Sequence, residues 1–178
     1  MDAQVSRPAK CNFALGNAGY GNEPPLQRFL SACHEEFKSD VSGAVADYIP
    51  ELKRANPAHF GVGLVTIDGH VYEVGDSRIP FTIQSVSKAF VFALALDLVG
   101  EERVAAAIGV EPSGEAFNSI RLTNDNRPFN PMVNAGAIAC SGLIHQAAGA
   151  FAFERIREKL SLFAGRGLDV DDAVHVSE

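Results

Sequence analysis

The sequence lacks the features of a secreted, membrane-spanning or nucleic-acid-binding protein. It has no cationic start followed by an apolar stretch. The longest apolar run, residues 89–99, is broken by Asp97 and is too short to span a bilayer. The net charge of -7 and the lack of a basic run argue against nucleic acid or an anionic membrane as a partner.

Metal-binding patterns are also missing. The three cysteines have no metal-type spacing, and their odd number fits reduced thiols in a cytoplasmic protein. None of the five histidines belongs to a paired ligand motif, so we assign them to structural or surface roles and expect no metal site. These residues are Cys11, Cys33, Cys140, His34, His59, His70, His145 and His175.

The size and composition of the chain favour one globular domain. With 178 residues, 47% of them hydrophobic, the chain can bury a substantial core. Residues 1–25 are rich in Gly, Asn and Pro and predict a loosely ordered leader. A helix with one apolar face is expected over residues 26–37. Tyr48 follows at an irregular corner before Pro50, the kind of place where site residues are common.

The clearest hairpin in the chain lies ahead of its most apolar helix. Residues 60–67 and 70–74 predict two strands, joined at Asp68 and Gly69 by a two-residue turn of the type I′ kind.

Ser85 and Lys88 stand at the head of the most apolar segment. Residues 89–99 are apolar around most of a helix circumference, which predicts a buried helix ending at Gly100. Residues three apart share a helix face, so Lys88 would lie one turn above the Ser85 hydroxyl. There a desolvated lysine can act as the base for a serine nucleophile. The pair alone is a weak signal, because a capping serine with a snorkelling lysine has the same spacing.

An asparagine-rich stretch covers residues 117–134. Turn formation explains most of its asparagines, whereas Asn134 directly precedes the small residues 135–139 at the start of a predicted helix. Asn134 is therefore either an N-cap or a side-chain amide that faces a cleft. A further helix is expected over residues 151–163, ended at Arg166-Gly167, and the tail 168–178 shows no finished element. The asparagines assigned to turns are Asn124, Asn126 and Asn130.

Five stretches, in order and at compatible spacing, resemble the serine-dependent glutaminases of the β-lactamase-like fold. They are GAVADYIPEL, VTIDGHVYEVGD, FTIQSVSKAF, EPSGEAFNSI and RPFNPMVNAGAI. The resemblance implies an α/β fold of the α+β type and hydrolysis of L-glutamine to L-glutamate and ammonia. It also implies a homo-oligomer with neither a metal nor an organic cofactor.

The same resemblance implies roles for individual residues. Ser85 matches the nucleophile that forms a γ-glutamyl ester, and Lys88 matches the base that activates it. Glu178 matches a glutamate suited to the α-ammonium group of a free amino acid. The residues that match substrate contacts are Tyr48, Gln84, Ser85, Asn134 and Glu178.

The motifs that match belong to the first part of the family's domain. Residues 26–178 would then be the N-terminal portion of a glutaminase domain, truncated before the C-terminal strands of its sheet. The hairpin would expose apolar edges and faces, and the chain alone would be inactive and poorly folded. Two alternatives stay open: a penicillin-recognising acyl hydrolase of the same fold, or a non-catalytic short form that acts as a structural or regulatory partner.

Overall fold

A computed structural model describes residues 23–114, 116 and 118–178 of the chain. The predicted leader, residues 1–25, lies almost entirely outside the described residues. By its internal contacts the chain separates into two units. The first unit comprises residues up to 47 together with 53–79, and the second comprises residues 48–52 together with 80–178.

The first unit is a helix packed against a hairpin. Helix α1, Pro25–Phe37, begins with a proline. Proline is tolerated at this first position because a backbone N–H there would have no acceptor within the helix. Strands β1, Gly61–Val65, and β2, Val71–Gly75, pair in antiparallel register. Gln27 Nε2 donates to Glu73 O at 3.0 Å, and His34 stacks on Phe60, so side chains of α1 hold the hairpin.

The turn of this hairpin differs from the prediction. A type I′ turn needs positive φ at both central residues, but of Asp68 and Gly69 only the glycine has it, at 86°. Gly69 N–H donates to Thr66 O at 2.9 Å, and Thr66 N–H donates to His70 O at 3.0 Å. The connection is therefore a three-residue loop that closes with a left-handed glycine, and the prediction of a two-residue turn was wrong.

The hairpin exposes two paired apolar side chains, Val65 and Val71, at the end next to its turn. Val65 is 68% exposed and Val71 is 60% exposed, whereas Val62 and Leu64 point to the half-buried face. Among the described residues the sheet contains these two strands and no others. The predicted exposure of apolar strand surface is confirmed.

The second unit is built from helices around α2, Ser87–Val99. The other helices are α3, Glu101–Ala107; α4, Asn134–Ala148; α5, Ala152–Ala164; and α6, Asp172–Ser177. Helix α2 packs against α3, α4 and α5, as its all-round apolar surface predicts. The core consists of Val91, Leu94, Ala95, Val104, Ile108, Cys140, Leu143 and Ile144.

Helix ends in this unit follow the glycines. Gly100, with φ of 81°, terminates α2 as predicted. Gly165, in the left-handed conformation, terminates α5 one residue before the predicted position. Helix α6 was not predicted, although Asp171 gives a start signal: its Oδ1 accepts from Val174 N–H at 3.1 Å.

The stretch Asn134–Ala164 is long and apolar enough to cross a membrane by length and composition alone. It is, however, interrupted by a 3-10 turn at Gly149–Phe151, where Gly149 has a φ of 58°. Its first half carries Cys140, Leu143 and Ile144 of the core. Both halves pack against α2, which is the arrangement of core helices in a globular unit.

Two glycines of α4 offer a matched stability test. A Cβ on Gly136 would lie 1.9 Å from Asn130 O, while a Cβ on Gly142 would meet nothing within 4 Å. Gly136→Ala should therefore destabilise the fold by about 1–3 kcal/mol or more through overpacking. Gly142→Ala should stabilise it by about 0.5–1 kcal/mol because alanine is the better helix former. Urea unfolding of both variants checks the signs, and equal effects would contradict the close approach at Gly136.

Candidate active site

Ser85 lies in a short 3-10 turn, Gln84–Val86, that leads directly into α2. Its side chain is exposed, and the next helical turn begins at Ser87. The first N–H groups of a helical segment have no acceptor within the helix. The N–H groups of Val86 and Ser87, however, already donate, to Ile83 O and Gln84 O. Ser85 therefore stands where an attacking oxygen is accessible, close to the predicted helix start.

The residue before the serine has an unusual backbone. Gln84 has a φ of 43°, one of two positive values among the described non-glycine residues. Such a conformation costs a side-chain-bearing residue of order 1–3 kcal/mol and is concentrated at functional sites. Two hydroxyl groups contact Gln84: Ser87 Oγ donates to Gln84 O at 2.7 Å, and Gln84 Nε2 donates to Thr82 Oγ1 at 3.1 Å.

Lys88 is the one charged residue of the described chain that is buried, with 9% of its surface exposed. Its Nζ donates to Asn134 Oδ1 at 2.6 Å and to Met132 O at 3.2 Å. Burial lowers the pKa of Lys88 below its ordinary value, because a low-dielectric environment disfavours the ammonium form. A snorkelling lysine would reach solvent, so that alternative does not describe Lys88.

Asn134 is the first residue of α4 and is not its cap. The N-cap position belongs to Val133, which makes no side-chain cap bond. The Asn134 amide instead turns its oxygen to Lys88, as it must, since an ammonium group only donates hydrogen bonds. The N-cap hypothesis for Asn134 is therefore wrong, and the alternative, a side-chain amide that faces a cleft, stays a prediction.

Asn130 shapes the loop that carries Met132. Its Oδ1 accepts from Met132 N–H at 3.0 Å and from Val133 N–H at 3.2 Å, and its Nδ2 donates to Glu111 O at 2.8 Å. Asn130 is thus a turn former, as predicted. The turn directs the Met132 carbonyl toward Lys88.

Tyr48 and Glu178 are not brought into contact with this group. Tyr48 is 69% exposed beside Ile49, which is buried at 3% exposure. Glu178 is exposed and follows α6, where its backbone N–H donates to Val174 O at 3.0 Å. In the described part of the chain neither side chain has a hydrogen bond to Ser85, Lys88 or Asn134. Their roles in substrate binding stay predictions.

Sequence reasoning missed three contributors to the site. Ser87 lies between Ser85 and Lys88 in the sequence and was not singled out. Thr82 has no motif of its own. Met132 contributes a backbone carbonyl, for which no side-chain signal exists in any sequence.

A family model described as Glutaminase matches residues 43–178. The chain belongs to the glutaminase family. Glutaminase 2 of Bradyrhizobium diazoefficiens is 75% identical over 178 residues, which are all of this chain and 28% of that protein. A glutaminase of Microcystis aeruginosa is 46% identical over 163 residues, covering 91% of this chain and 48% of that protein. The chain therefore spans about a quarter to a half of the length of these glutaminases.

Solved structures agree with the assignment of family and fold. The crystal structure of Mglu in its native form matches with a TM-score of 0.80 at 39% identity, covering 87% of this chain and 38% of that one. A structure described as a probable glutaminase, ybaS, matches with a TM-score of 0.75 at 35% identity, covering 86% of this chain and 50% of that one. The predicted α/β fold, a hairpin with a helical region, is confirmed.

Lys88 should release its proton below pH 10.5, the ordinary lysine value. The unfolded chain then binds this proton more tightly than the folded chain, so the free energy of unfolding should rise with pH between the lowered pKa and 10.5. NMR titration of a sample carrying ¹³C at lysine Cε measures the pKa, and Lys88→Met identifies the resonance among the five lysines. Titration at or above 10.5 would contradict the burial effect.

Asn134→Asp places a carboxylate where Lys88 now meets a neutral oxygen. An opposite charge at this distance favours the ammonium form, so the pKa of Lys88 should rise by about one to three pH units relative to the unmodified chain. Asn134→Ala removes the acceptor without adding charge, and the pKa should fall. If both variants moved the pKa in the same direction in the ¹³C titration, the contact would not control Lys88.

Proposed function

We propose that this chain supplies the nucleophile and the base for hydrolysis of the side-chain amide of L-glutamine to L-glutamate and ammonia. The observation that carries the proposal is Lys88, which is buried, has a lowered pKa, and is held by Asn134 one helical turn after Ser85. A base of this kind is what an unactivated serine hydroxyl needs.

In the first half of the reaction, neutral Lys88 takes the proton of the Ser85 hydroxyl as Oγ attacks the amide carbon of glutamine. The backbone N–H of Ser85 is the donor that this chain offers the tetrahedral oxyanion, because the N–H groups of Val86 and Ser87 donate to Ile83 O and Gln84 O. When the C–N bond breaks, the Lys88 ammonium returns its proton to the departing nitrogen. Ammonia leaves and a γ-glutamyl ester remains on Ser85.

In the second half of the reaction, Lys88 is neutral again and takes a proton from a water molecule. The resulting hydroxide attacks the ester carbon, and Ser85 Oγ leaves with the proton held by Lys88. L-Glutamate is released and both side chains return to their first state. The γ-carboxyl group formed in this step loses its proton to solvent, so Lys88 is the one protein group that the proposed proton transfers require.

Recognition of the amino-acid end of glutamine completes the proposal. Tyr48, Gln84 and Asn134 supply neutral polar groups for the substrate, and Glu178 supplies an anion for its α-ammonium. Asn134 gives its oxygen to Lys88, so its Nδ2 is the atom available to a substrate acceptor. Structures of Mglu described as glutamate forms support glutamate as the product of this family.

The cellular setting is part of the same proposal. A cytoplasmic location is supported by the free thiols Cys33 and Cys140 in the described residues. We extend the proposal to a homo-oligomer, and to residues 26–178 as part of a glutaminase domain preceded by a leader at 1–25. The helix that begins at Pro25 is consistent with that boundary.

The sharpest test places this chain inside a longer relative. Its 178 residues would replace the matching region of Bradyrhizobium diazoefficiens Glutaminase 2, which is 75% identical. We expect the chimaera to release ammonia from L-glutamine, and Ser85→Ala or Lys88→Ala to reduce kcat/KM by roughly 10⁴- to 10⁶-fold. Matched controls are Ser141→Ala and Lys53→Ala, both at exposed positions, which should leave the rate unchanged.

The same assay separates the alternatives. Near-normal turnover in Ser85→Ala would overturn the assignment of the nucleophile. A chimaera that opened a β-lactam but ignored glutamine would favour the penicillin-recognising class. If the chimaera were active and the 178-residue chain alone were not, the site would be supported and the predicted inactivity of the chain alone would be confirmed. Ammonia release by the chain alone would overturn that prediction.

A further inference from the structure

Ser87 occupies an unexplained place between the proposed nucleophile and its base. It is the first residue of α2 and is half-buried. Its hydroxyl donates to Gln84 O at 2.7 Å, and its backbone N–H donates to the same carbonyl oxygen. Gln84 is the residue with a φ of 43°, and Ser85 follows it directly.

We propose that Ser87 is a positioning residue for Ser85: its hydroxyl holds the Gln84 carbonyl and so maintains the left-handed backbone that presents Ser85 to substrate. The inference rests on the proposed function, because it assumes that Ser85 is the nucleophile. Thr82 acts on the same residue from the other side, since its Oγ1 accepts from Gln84 Nε2 at 3.1 Å.

The physical argument starts from the strain at Gln84. A residue with a Cβ leaves the left-handed region unless its surroundings fix it there. Rotation of Gln84 to negative φ would turn the peptide that joins it to Ser85, and the serine side chain would turn with it. The backbone carbonyl and the side-chain amide of Gln84 are each hydrogen bonded to a hydroxyl group. Such bonds can hold a residue in a strained conformation.

The chain contains a matched control for this bond. Ser141 Oγ donates to Ala137 O at 3.1 Å, so it too is a helical serine that bonds an earlier carbonyl. Ala137 lies inside α4 and has no positive φ. Removal of the Ser141 hydroxyl therefore takes away the same type of bond without affecting a strained residue.

The first measurement is the reactivity of Ser85 in the chimaera with Glutaminase 2, which contains all 178 residues, because the chain alone is expected to be inactive. A fluorophosphonate, from which the serine oxygen displaces fluoride, labels activated serines, and peptide mapping identifies Ser85. We expect Ser87→Ala to slow this labelling by about tenfold to a hundredfold, the scale of a misplacement near 1 Å. Ser87→Thr keeps the hydroxyl and should restore the rate, while Ser141→Ala should not change it.

The second measurement does not depend on reactivity. NMR residual dipolar couplings and chemical shifts give the φ of Gln84, which should be positive in the unmodified chain and in Ser87→Thr. It should move to negative values in Ser87→Ala. In a Gln84→Gly background the left-handed conformation no longer needs support, so Ser87→Ala should have a smaller effect on labelling there.

The outcomes separate this inference from the proposed function. If Ser85 is labelled equally in the unmodified chimaera and in Ser87→Ala, or if the φ of Gln84 does not respond, the positioning role is overturned and the nucleophile stands. If Ser85 is not labelled in the unmodified chimaera, the proposed function fails, and the positioning role fails with it. A loss of labelling shared by Ser141→Ala would show a general effect of helix stability and would also overturn the positioning role.

Discussion

The candidate site depends on one contact, the hydrogen bond from Lys88 Nζ to Asn134 Oδ1. A buried ammonium group is costly unless oxygen atoms surround it, so Lys88 can stay inside only while α4 stands against α2. The contact therefore links helix packing to chemistry. Burial lowers the pKa of Lys88, and the bonds to Asn134 Oδ1 and Met132 O hold its nitrogen against the start of α4.

The position of α4 is in turn set by small features of the loop before it. The Asn130 side chain closes the turn through bonds to the Met132 and Val133 N–H groups. The backbone carbonyl oxygen of Asn130 would lie 1.9 Å from a Cβ placed on Gly136. A larger residue at Gly136 would push the start of α4 away from this loop. Asn134 and the Met132 carbonyl would then move relative to Lys88. The packing of α4 and the environment of the Lys88 ammonium therefore both depend on Asn130 and Gly136.

The sequence predicted those features of the candidate site that depend on residue type and spacing. Ser85 and Lys88 were singled out by their spacing and given roles through the family resemblance, α2 was predicted from its apolar surface, and Gly100 was predicted as its end. The prediction of a two-residue hairpin turn was wrong. Asp-Gly is a residue pair typical of type I′ turns, but only Gly69 has the positive φ that such a turn needs at both positions. Gln84 was named through the family resemblance, but its positive φ and the direction of the Met132 carbonyl could not be predicted, since neither is encoded in residue type.

Two departures from local rules flank the proposed nucleophile, and their coincidence is informative. Gln84 has a left-handed backbone directly before Ser85, and Lys88 is a buried cation one turn after it. Either feature alone has structural explanations. Local rules are broken together chiefly where function requires it, because each departure costs stability and must be held by other contacts. Family membership indicates which reaction to test. The geometry on either side of Ser85 indicates, independently of the family, that Ser85 is the residue to test as the nucleophile.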